Sequence, residues 1–200
     1  MVGIDIHIQR FSRRRSQALA ACVTLAVALL AGIAPAVAQS AKSPAAAEID
    51  RNVDAALKSL YAKTPAAKTL ARKAKGVLVF PSIVKGGLIV GAQYGKGALR
   101  KGGKTVAYYE TVSASYGLQA GVQKFGYALF FMNDAALGYL DRSAGWEIGV
   151  GPSVVVVDAG MAKALTTTTL KDDVYAFFFD QKGLMAGLGL QGSKITRFHP

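Results

Sequence analysis

The chain has 200 residues, of which 52% are hydrophobic, and its 24 Lys and Arg against 12 Asp and Glu give a formal net charge of +12. This length fits one domain with an extra segment, and the apolar fraction excludes a disordered chain in spite of the charge. One cysteine and two histidines exclude a disulfide framework, a cysteine-rich zinc module and a histidine-based metal site, so we predict no cofactor and no bound metal.

The N-terminal segment has the three parts of a secretory signal peptide. Four arginines precede an apolar run from Ala18 to Ala34, and the small-residue triplet Ala36-Val37-Ala38 follows. We expect residues 1–38 to be cleaved off after Ala38, which makes residues 39–200 an exported, periplasmic or envelope-associated domain. A retained membrane anchor is the alternative, and its run of about 17 apolar residues is at the lower limit for crossing a bilayer.

Two shorter motifs lie inside this segment. Leu19-Ala20-Ala21-Cys22 matches the site at which bacterial lipoproteins are cut and acylated, but too few apolar residues precede it, and we do not expect lipid anchoring at Cys22. Ser12-Arg13-Arg14 resembles the start of a twin-arginine signal, so two export routes stay open. If cleavage follows Ala38, the exported chain has no cysteine.

Residues 39–75 are predicted to be helical, because they contain no glycine and their apolar residues recur at helical spacing: Ile49, Val53, Leu57 and Leu60. Ser43-Pro44 suits the start of a first helix, on which Asp54 and Lys58 should pair as i,i+4 neighbours. Thr64-Pro65 suits the start of a second helix, which we expect to end at Gly76.

Residues 76–200 are predicted to be mainly β, with two short helices capped by Asn133 and Asp158. Glycine pentads at Gly87–Gly91, Gly117–Gly121 and Gly183–Gly187 predict curved strands. We therefore expect an α+β fold in which an N-terminal helical pair packs against a glycine-rich, mainly antiparallel β-sheet or barrel-like core. The predicted strands are Val77–Phe80, Leu88–Tyr94, Thr105–Val112, Tyr116–Gln123, Tyr127–Met132, Trp146–Val157, Val174–Asp180 and Leu184–Gln191.

Carboxylates are the remaining candidates for catalysis. Beyond the expected leader His199 is the single histidine, which makes histidine-dependent nucleophilic catalysis untenable. Asp172-Asp173 is the one adjacent acidic pair, and a carboxylate-based hydrolase is a minor alternative on that ground. Its position between a threonine run and a strand fits a turn better, so we predict no enzymatic activity and no catalytic residue.

The positive charge is concentrated in residues 55–109, which contain eleven Lys and Arg and no acidic residue. Lys68, Arg72 and Lys75 fall on one face of the second helix, a pattern typical of basic elements that lie on anionic lipid. Residues 100–104 should form an exposed turn with three charges. The predicted lipid-binding residues are Lys58, Lys63, Lys68, Arg72, Lys73, Lys75, Arg100, Lys101 and Lys104.

These cations suit two roles, since they either keep the surface soluble or bind an anionic partner. Each Lys or Arg near an anionic membrane contributes roughly 1 kcal/mol, so five or six together would support micromolar binding. Nucleic acid would use the same charge, but an exported protein meets little of it, and we expect no nucleic-acid partner. The sequence leaves the oligomeric state open.

Several blocks of the sequence resemble the SYLF-domain family, from roughly Glu48 to Phe198. They are Gly76-Val77-Leu78-Val79-Phe80-Pro81, Gly87–Gly91, Tyr94-Gly95-Lys96-Gly97, Tyr116-Gly117-Leu118-Gln119-Ala120-Gly121 and Gly149-Val150-Gly151-Pro152. The resemblance, which is to the bacterial, exported, single-domain form, implies a non-enzymatic lipid-binding module. Eukaryotic members bind phosphoinositides, some yeast relatives bind actin, and the family's basic amphipathic region maps onto Lys58 to Lys75.

An exported bacterial protein meets neither phosphoinositides nor actin in its own cell, so the actin activity is not carried over. We expect peripheral binding of an anionic phospholipid at the membrane surface of the envelope. The alternative is a small integral outer-membrane β-barrel or a structural envelope protein, which the export signal and the glycine-rich strands permit. The helical first third and doubly apolar runs such as Val154–Val157 argue against that barrel.

Overall fold

The structure is a computed structural model that describes residues 42–87, 90–116, 121–142, 144–165, 170–182, 190 and 192–200. The expected signal peptide, Cys22, most of the predicted strand Leu184–Gln191 and the interiors of the glycine pentads lie outside these residues. Within them, no helix is both long and apolar enough to span a bilayer.

Two helices begin the described chain: α1 spans Pro44–Lys63 and α2 spans Pro65–Ala71. Ser43 caps α1 by accepting a hydrogen bond from the N–H of Ala46 at 3.1 Å. Both helices begin with a proline, which fits this position because a backbone N–H in the first turn has no carbonyl partner within the helix. The predicted helix starts are confirmed. The predicted end of α2 is wrong, because Gly76 begins a strand, where a Cβ would lie 3.1 Å from the Leu137 and Leu99 side chains.

Among the described residues, eight strands form one sheet in the order β5-β8-β3-β2-β1-β4-β7-β6. Neighbouring strands are antiparallel except for β6 and β7, which run parallel. The fold is therefore α+β with a mainly antiparallel sheet, as predicted. β5 and β6 are the two edge strands of the described sheet. The strands are β1 Gly76–Gly87, β2 Val90–Lys101, β3 Lys104–Tyr116, β4 Gly121–Phe131, β5 Trp146–Glu147, β6 Val154–Val156, β7 Val174–Lys182 and β8 Lys194–Phe198.

Short helices connect the later strands. A helix α3 (Asp134–Gly138) and a 3₁₀ turn (Tyr139–Asp141) follow β4, and α4 (Ala159–Ala164) follows β6. The Asn133 side chain caps α3 with a 2.8 Å hydrogen bond from a backbone N–H, and Asp158 caps α4 in the same way at 2.7 Å. Both predicted caps are confirmed.

The sheet is curled, and both of its faces are buried over much of its length. On the concave face the rings of Phe131 in β4 and Trp146 in β5 lie 5.7 Å apart, although four strands separate β4 from β5 in the sheet. In a flat sheet, with neighbouring strands about 4.8 Å apart, the two strands would stand about 24 Å from each other. The helices cover the convex face, where Val53, Leu60 and Leu70 form a hydrophobic cluster with sheet residues such as Val79 and Phe130.

A bulge in β1 explains two glycines of β2. The pairing of the two strands shifts between Val79 and Ser82, around Pro81, which has no N–H to give to a ladder. A Cβ at Gly97 would lie 2.1 Å from the carbonyl oxygen of Val79, and one at Gly95 would lie 2.8 Å from that of Ser82. Glycine is needed here because the bulge brings the backbone of β1 against β2.

Two of the predicted strands do not correspond to a single strand. Tyr116–Gln123 spans the end of β3 and the start of β4, which follow one another along the chain but are separated by β2 and β1 in the sheet. Trp146–Val157 divides into β5 and β6, since Gly149 and Gly151 adopt positive φ angles of 107° and 93° in the turn between them. Strand β8 was not predicted at all.

The glycine pentads were expected inside curved strands, but the described glycines lie at strand ends. Gly87, the last residue of β1, pairs with Gly91 near the start of β2 and with Gly121 at the start of β4. These three glycines therefore meet at one end of the sheet.

Candidate functional site

A groove lies between the two helices and the β2–β3 hairpin. Its volume is about 560 Å³, its floor is made by buried and half-buried apolar side chains such as Val77 and Leu57, and exposed cations stand at its rim. We call it the basic groove. Its lining residues are Asp54, Leu57, Tyr61, Lys68, Ala71, Arg72, Ala74, Gly76, Val77, Arg100, Gly102 and Gly103.

Two cations of the basic groove come from α2 and the residue that directly follows it. Ala67 and Leu70 of α2 are buried against the rest of the domain, so residues elsewhere around the helix face outward. Lys68 and Arg72 are one turn apart, and both are exposed and line the groove. Of the three residues predicted to share a face of this helix, Lys68 lies on α2, Arg72 directly follows its last residue, and Lys75 lies beyond it, next to β1.

The β2–β3 hairpin forms the other side of the groove. Its turn is Gly102-Gly103, with φ angles of 55° and 79°, the left-handed conformations that a two-residue hairpin turn of this type needs. Lys101 and Lys104 are opposite each other across the turn, and both are exposed.

The expectation of an exposed turn with three charges is wrong for Arg100, because its side chain is only 12% exposed and reaches back to α1. One terminal guanidinium nitrogen donates to the carboxylate of Asp54 at 2.6 Å and to the backbone carbonyl of Asp50 at 3.2 Å. The predicted pair of Asp54 with Lys58 is likewise replaced, since the Asp54 carboxylate binds Arg100. The cause is a tertiary contact, since the β2–β3 hairpin brings the Arg100 guanidinium next to two acids on one face of α1.

Asp50 holds this arrangement together. Its carboxylate accepts hydrogen bonds from the hydroxyls of Thr105 at 2.7 Å and Tyr108 at 3.2 Å, and from the ammonium of Lys42. Burial raises the pKa of Asp50, but the hydrogen bonds from Lys42 and Thr105 and the charges of Lys42 and Arg100 outweigh it, so the pKa lies below its usual value. An ionised Asp50 therefore ties α1 to β3 at neutral pH.

The remaining predicted site residues are dispersed. Lys63 forms an ion pair with Asp180 at 2.7 Å, and Lys75 forms one with Asp134 at 3.6 Å. The structure thus separates these two lysines from the basic groove. Four further predicted residues are exposed but are not among those that line the groove. Lys101 and Lys104 flank its Gly102-Gly103 turn, whereas Lys58 and Lys73 do not.

In the acidic pair Asp172-Asp173, the carboxylate of Asp173 is held by hydrogen bonds that connect separate parts of the fold. The carboxylate of Asp173 accepts hydrogen bonds from the Ser153 N–H at 2.9 Å, the Ser153 hydroxyl at 3.2 Å and the Asn133 amide at 2.7 Å. The bonds from the Ser153 backbone and from Asn133 lower the pKa of Asp173 against the opposing effect of burial. These bonds tie the start of β7 to the residues that precede β6 and α3, as the turn expected at this position requires.

The comparisons with known proteins concern the second half of the chain. Residues 112–199 match the family model described as Ysc84, Las17-binding protein actin regulator. This segment is similar to the SYLF-domain family, which is consistent with the resemblance that the sequence blocks indicate. The matched residues run from the second half of β3 through β8, so the predicted lipid-binding residues between Lys58 and Lys104 precede the SYLF match. No curated protein matches the chain.

Proposed function

We propose that the protein is a non-enzymatic, peripheral binder of anionic phospholipid that uses the basic groove. The observation that supports this most directly is the groove's composition. Lys68 and Arg72 stand on one side and Lys101 and Lys104 flank the turn on the other, with an apolar floor between them. Anionic headgroups suit the cations, and the carbon atoms of a lipid suit the floor.

The choice of lipid follows from the compartment. The family description names an actin regulator, but the signal-peptide pattern of residues 1–38 favours export, and an exported bacterial protein does not meet actin. Phosphatidylglycerol, cardiolipin and lipopolysaccharide phosphates are the anions available to it. Mass spectrometry of the protein recovered from cells tests the export step, because cleavage after Ala38 would leave Gln39 as the first residue.

The structure lowers the electrostatic contribution that the sequence suggested. Of the nine predicted residues, three have carboxylates beside them: Lys63, Lys75 and Arg100. Lys58 and Lys73 neither line the groove nor flank its turn, which leaves four cations around it. At roughly 1 kcal/mol each they supply about 4 kcal/mol, which corresponds to millimolar and not micromolar affinity. Binding of physiological strength therefore needs apolar contact or a second surface as well.

Vesicle sedimentation tests the groove. The double variant Lys68→Gln/Arg72→Gln should bind vesicles that contain phosphatidylglycerol about 30-fold more weakly, because two cations at roughly 1 kcal/mol each are lost. Lys171→Gln removes one exposed lysine outside the groove and should change binding by less than about twofold. Binding should fall as salt rises. Equal binding to neutral phosphatidylcholine vesicles, or no response to salt, would contradict the proposal.

A further inference from the structure

At the other end of β1 and β2, away from the basic groove, one row of side chains crosses six strands. The register places Val112, Tyr94 and Val84 side by side on β3, β2 and β1, with Lys194 before them on β8. On the far side Val84 is opposite Lys124 of β4, which is opposite Lys182 of β7. Directly opposite residues in an antiparallel sheet share a face. We call these six residues the end row.

The end row lies on the convex face, beyond the part that α1 covers. Val84 and Tyr94 border the first turns of α1, where they line a groove together with Ile49 and Asn52. Lys85, which follows Val84, is by contrast buried on the concave face. The row therefore lies on the same side of the sheet as α1, but α1 does not cover it.

The centre of the end row is apolar and exposed. Val84 is 50% exposed, Tyr94 45% and Val112 49%, and Val122, which pairs with Gly86 in the next row outward, is 69% exposed. The same outer row continues through two small exposed residues, Ala92 and Ala114. Single exposed apolar residues are ordinary, but contiguous ones mark a surface that contacts a partner or a membrane.

Cations stand on both sides of this apolar centre. Lys194 is exposed at one end, and Lys124 and Lys182 are exposed and directly opposite each other at the other end. Like charges in directly opposite positions destabilise a sheet, and an anion between them removes that repulsion. Acidic residues are close to the row as well: Glu147 of β5 is directly opposite Lys194, and Glu110 of β3 accepts a hydrogen bond from the Tyr94 hydroxyl at 3.4 Å.

We propose that the end row and Val122 form a second lipid-contact surface. Val84, Tyr94, Val112 and Val122 enter the interfacial region of an anionic bilayer, where a tyrosine ring is favoured because it combines an apolar body with a polar tip. Lys124, Lys182 and Lys194 bind the surrounding phosphate groups. The inference rests on the proposed function for its partner, an anionic lipid surface, but not on the basic groove.

The two surfaces are far enough apart to be tested separately. Val77 lines the basic groove and Val84 lies in the end row, and the seven residue steps from one to the other span about 23 Å of strand. A substitution at either surface therefore leaves the contacts of the other unchanged.

The first measurement locates the bilayer. The full chain is prepared with Cys22→Ser, so that an introduced cysteine is its only thiol. Val122→Cys, labelled with an environment-sensitive fluorophore, should show a blue shift and at least a twofold gain in intensity on vesicles of equal phosphatidylglycerol and phosphatidylcholine. Val150→Cys is the matched control, since Val150 is 57% exposed in the turn between β5 and β6, and its label should not respond.

The second measurement determines whether insertion contributes to affinity. Val122→Asp changes an exposed residue, so the fold is retained, which an unchanged melting temperature verifies. It should weaken vesicle binding at least tenfold, and the loss should persist at high salt, where surface charges are screened. Val150→Asp should have no effect.

The outcomes separate the two proposals. If the Lys68→Gln/Arg72→Gln variant loses binding while Val122→Asp and the Val122 label do not respond, the end row is refuted and the groove stands. If Val122→Asp loses binding while the groove variant does not, the groove is refuted and the end row stands. If the protein does not bind anionic vesicles at all, both are refuted, and an apolar protein partner with an acidic rim becomes the candidate for this surface.

Discussion

The close approach of β1 and β2 at Gly97 makes Gly97→Ala a sharp test of the fold. The added Cβ would lie 2.1 Å from the carbonyl oxygen of Val79 and 2.8 Å from the ring of Phe80, whereas ordinary contacts begin at 3.4 Å. The strands would have to separate by more than an ångström at the bulge, where the atom in the way is backbone and cannot rotate aside. Overpacking of this kind costs about 3 kcal/mol.

Urea and thermal unfolding measure this cost. For a domain of this size 1 kcal/mol corresponds to about 2–4 °C, so Gly97→Ala should lower the melting temperature by about 6–12 °C. Gly138→Ala is the control, because it lies at the end of α3 with nothing within 4 Å of its Cβ position and without a positive φ angle. It should be neutral or stabilising by up to about 1 kcal/mol. If Gly97→Ala changes stability by less than about 0.5 kcal/mol, the described contact between β1 and β2 is incorrect.

Two further substitutions test the polar contacts. Asp50→Asn should lower the free energy of unfolding by about 1–3 kcal/mol at pH 7, since charged hydrogen bonds to Thr105 and Lys42 are lost. Because the folded pKa of Asp50 is depressed, its contribution is complete above the unfolded value of about 4 and is lost as pH falls below it. Urea titrations at pH 7 and pH 3 should show the difference between wild type and variant shrinking at pH 3. Asp173→Ala should also cost about 1–3 kcal/mol by calorimetry, and a stability equal to that of wild type would contradict the contacts with Ser153.

Local features of the fold could be predicted from the sequence because their causes are local. The caps at Ser43, Asn133 and Asp158 bind backbone groups only three residues away, and proline at the start of a helix acts within its own turn. Helical spacing alone predicted that Lys68 and Arg72 lie on one side, and both line the basic groove, although α2 ends at Ala71 and Lys75 lies beyond it.

Features that depend on the sheet order could not be predicted. Arg100 and Asp54 are 46 residues apart, and Lys63 and Asp180 are 117 apart, so a stretch that is free of acids in the sequence is partly neutralised in space. Asp50 and Tyr108 were missed because no motif joins an acid on a helix to a hydroxyl on a strand.

The end row was missed for a similar reason. Val84, Tyr94 and Val112 each read as an ordinary strand residue, and only the register of three strands makes them neighbours. The short strand β8 escaped prediction because its five residues follow a glycine-rich segment and alternate polar with apolar only briefly.

The place of β8 in the sheet determines when folding can finish. β5 stands at the edge and pairs with β8, so Trp146 acquires its strand partner Ile195 only after residues near the C-terminal end of the chain have arrived. Trp146 is the only tryptophan in the chain and is 1% exposed. Its intrinsic fluorescence therefore reports the formation of the curled sheet, because the Trp146 ring reaches its buried position next to Phe131 only when β5 and β4 face each other across the concave side.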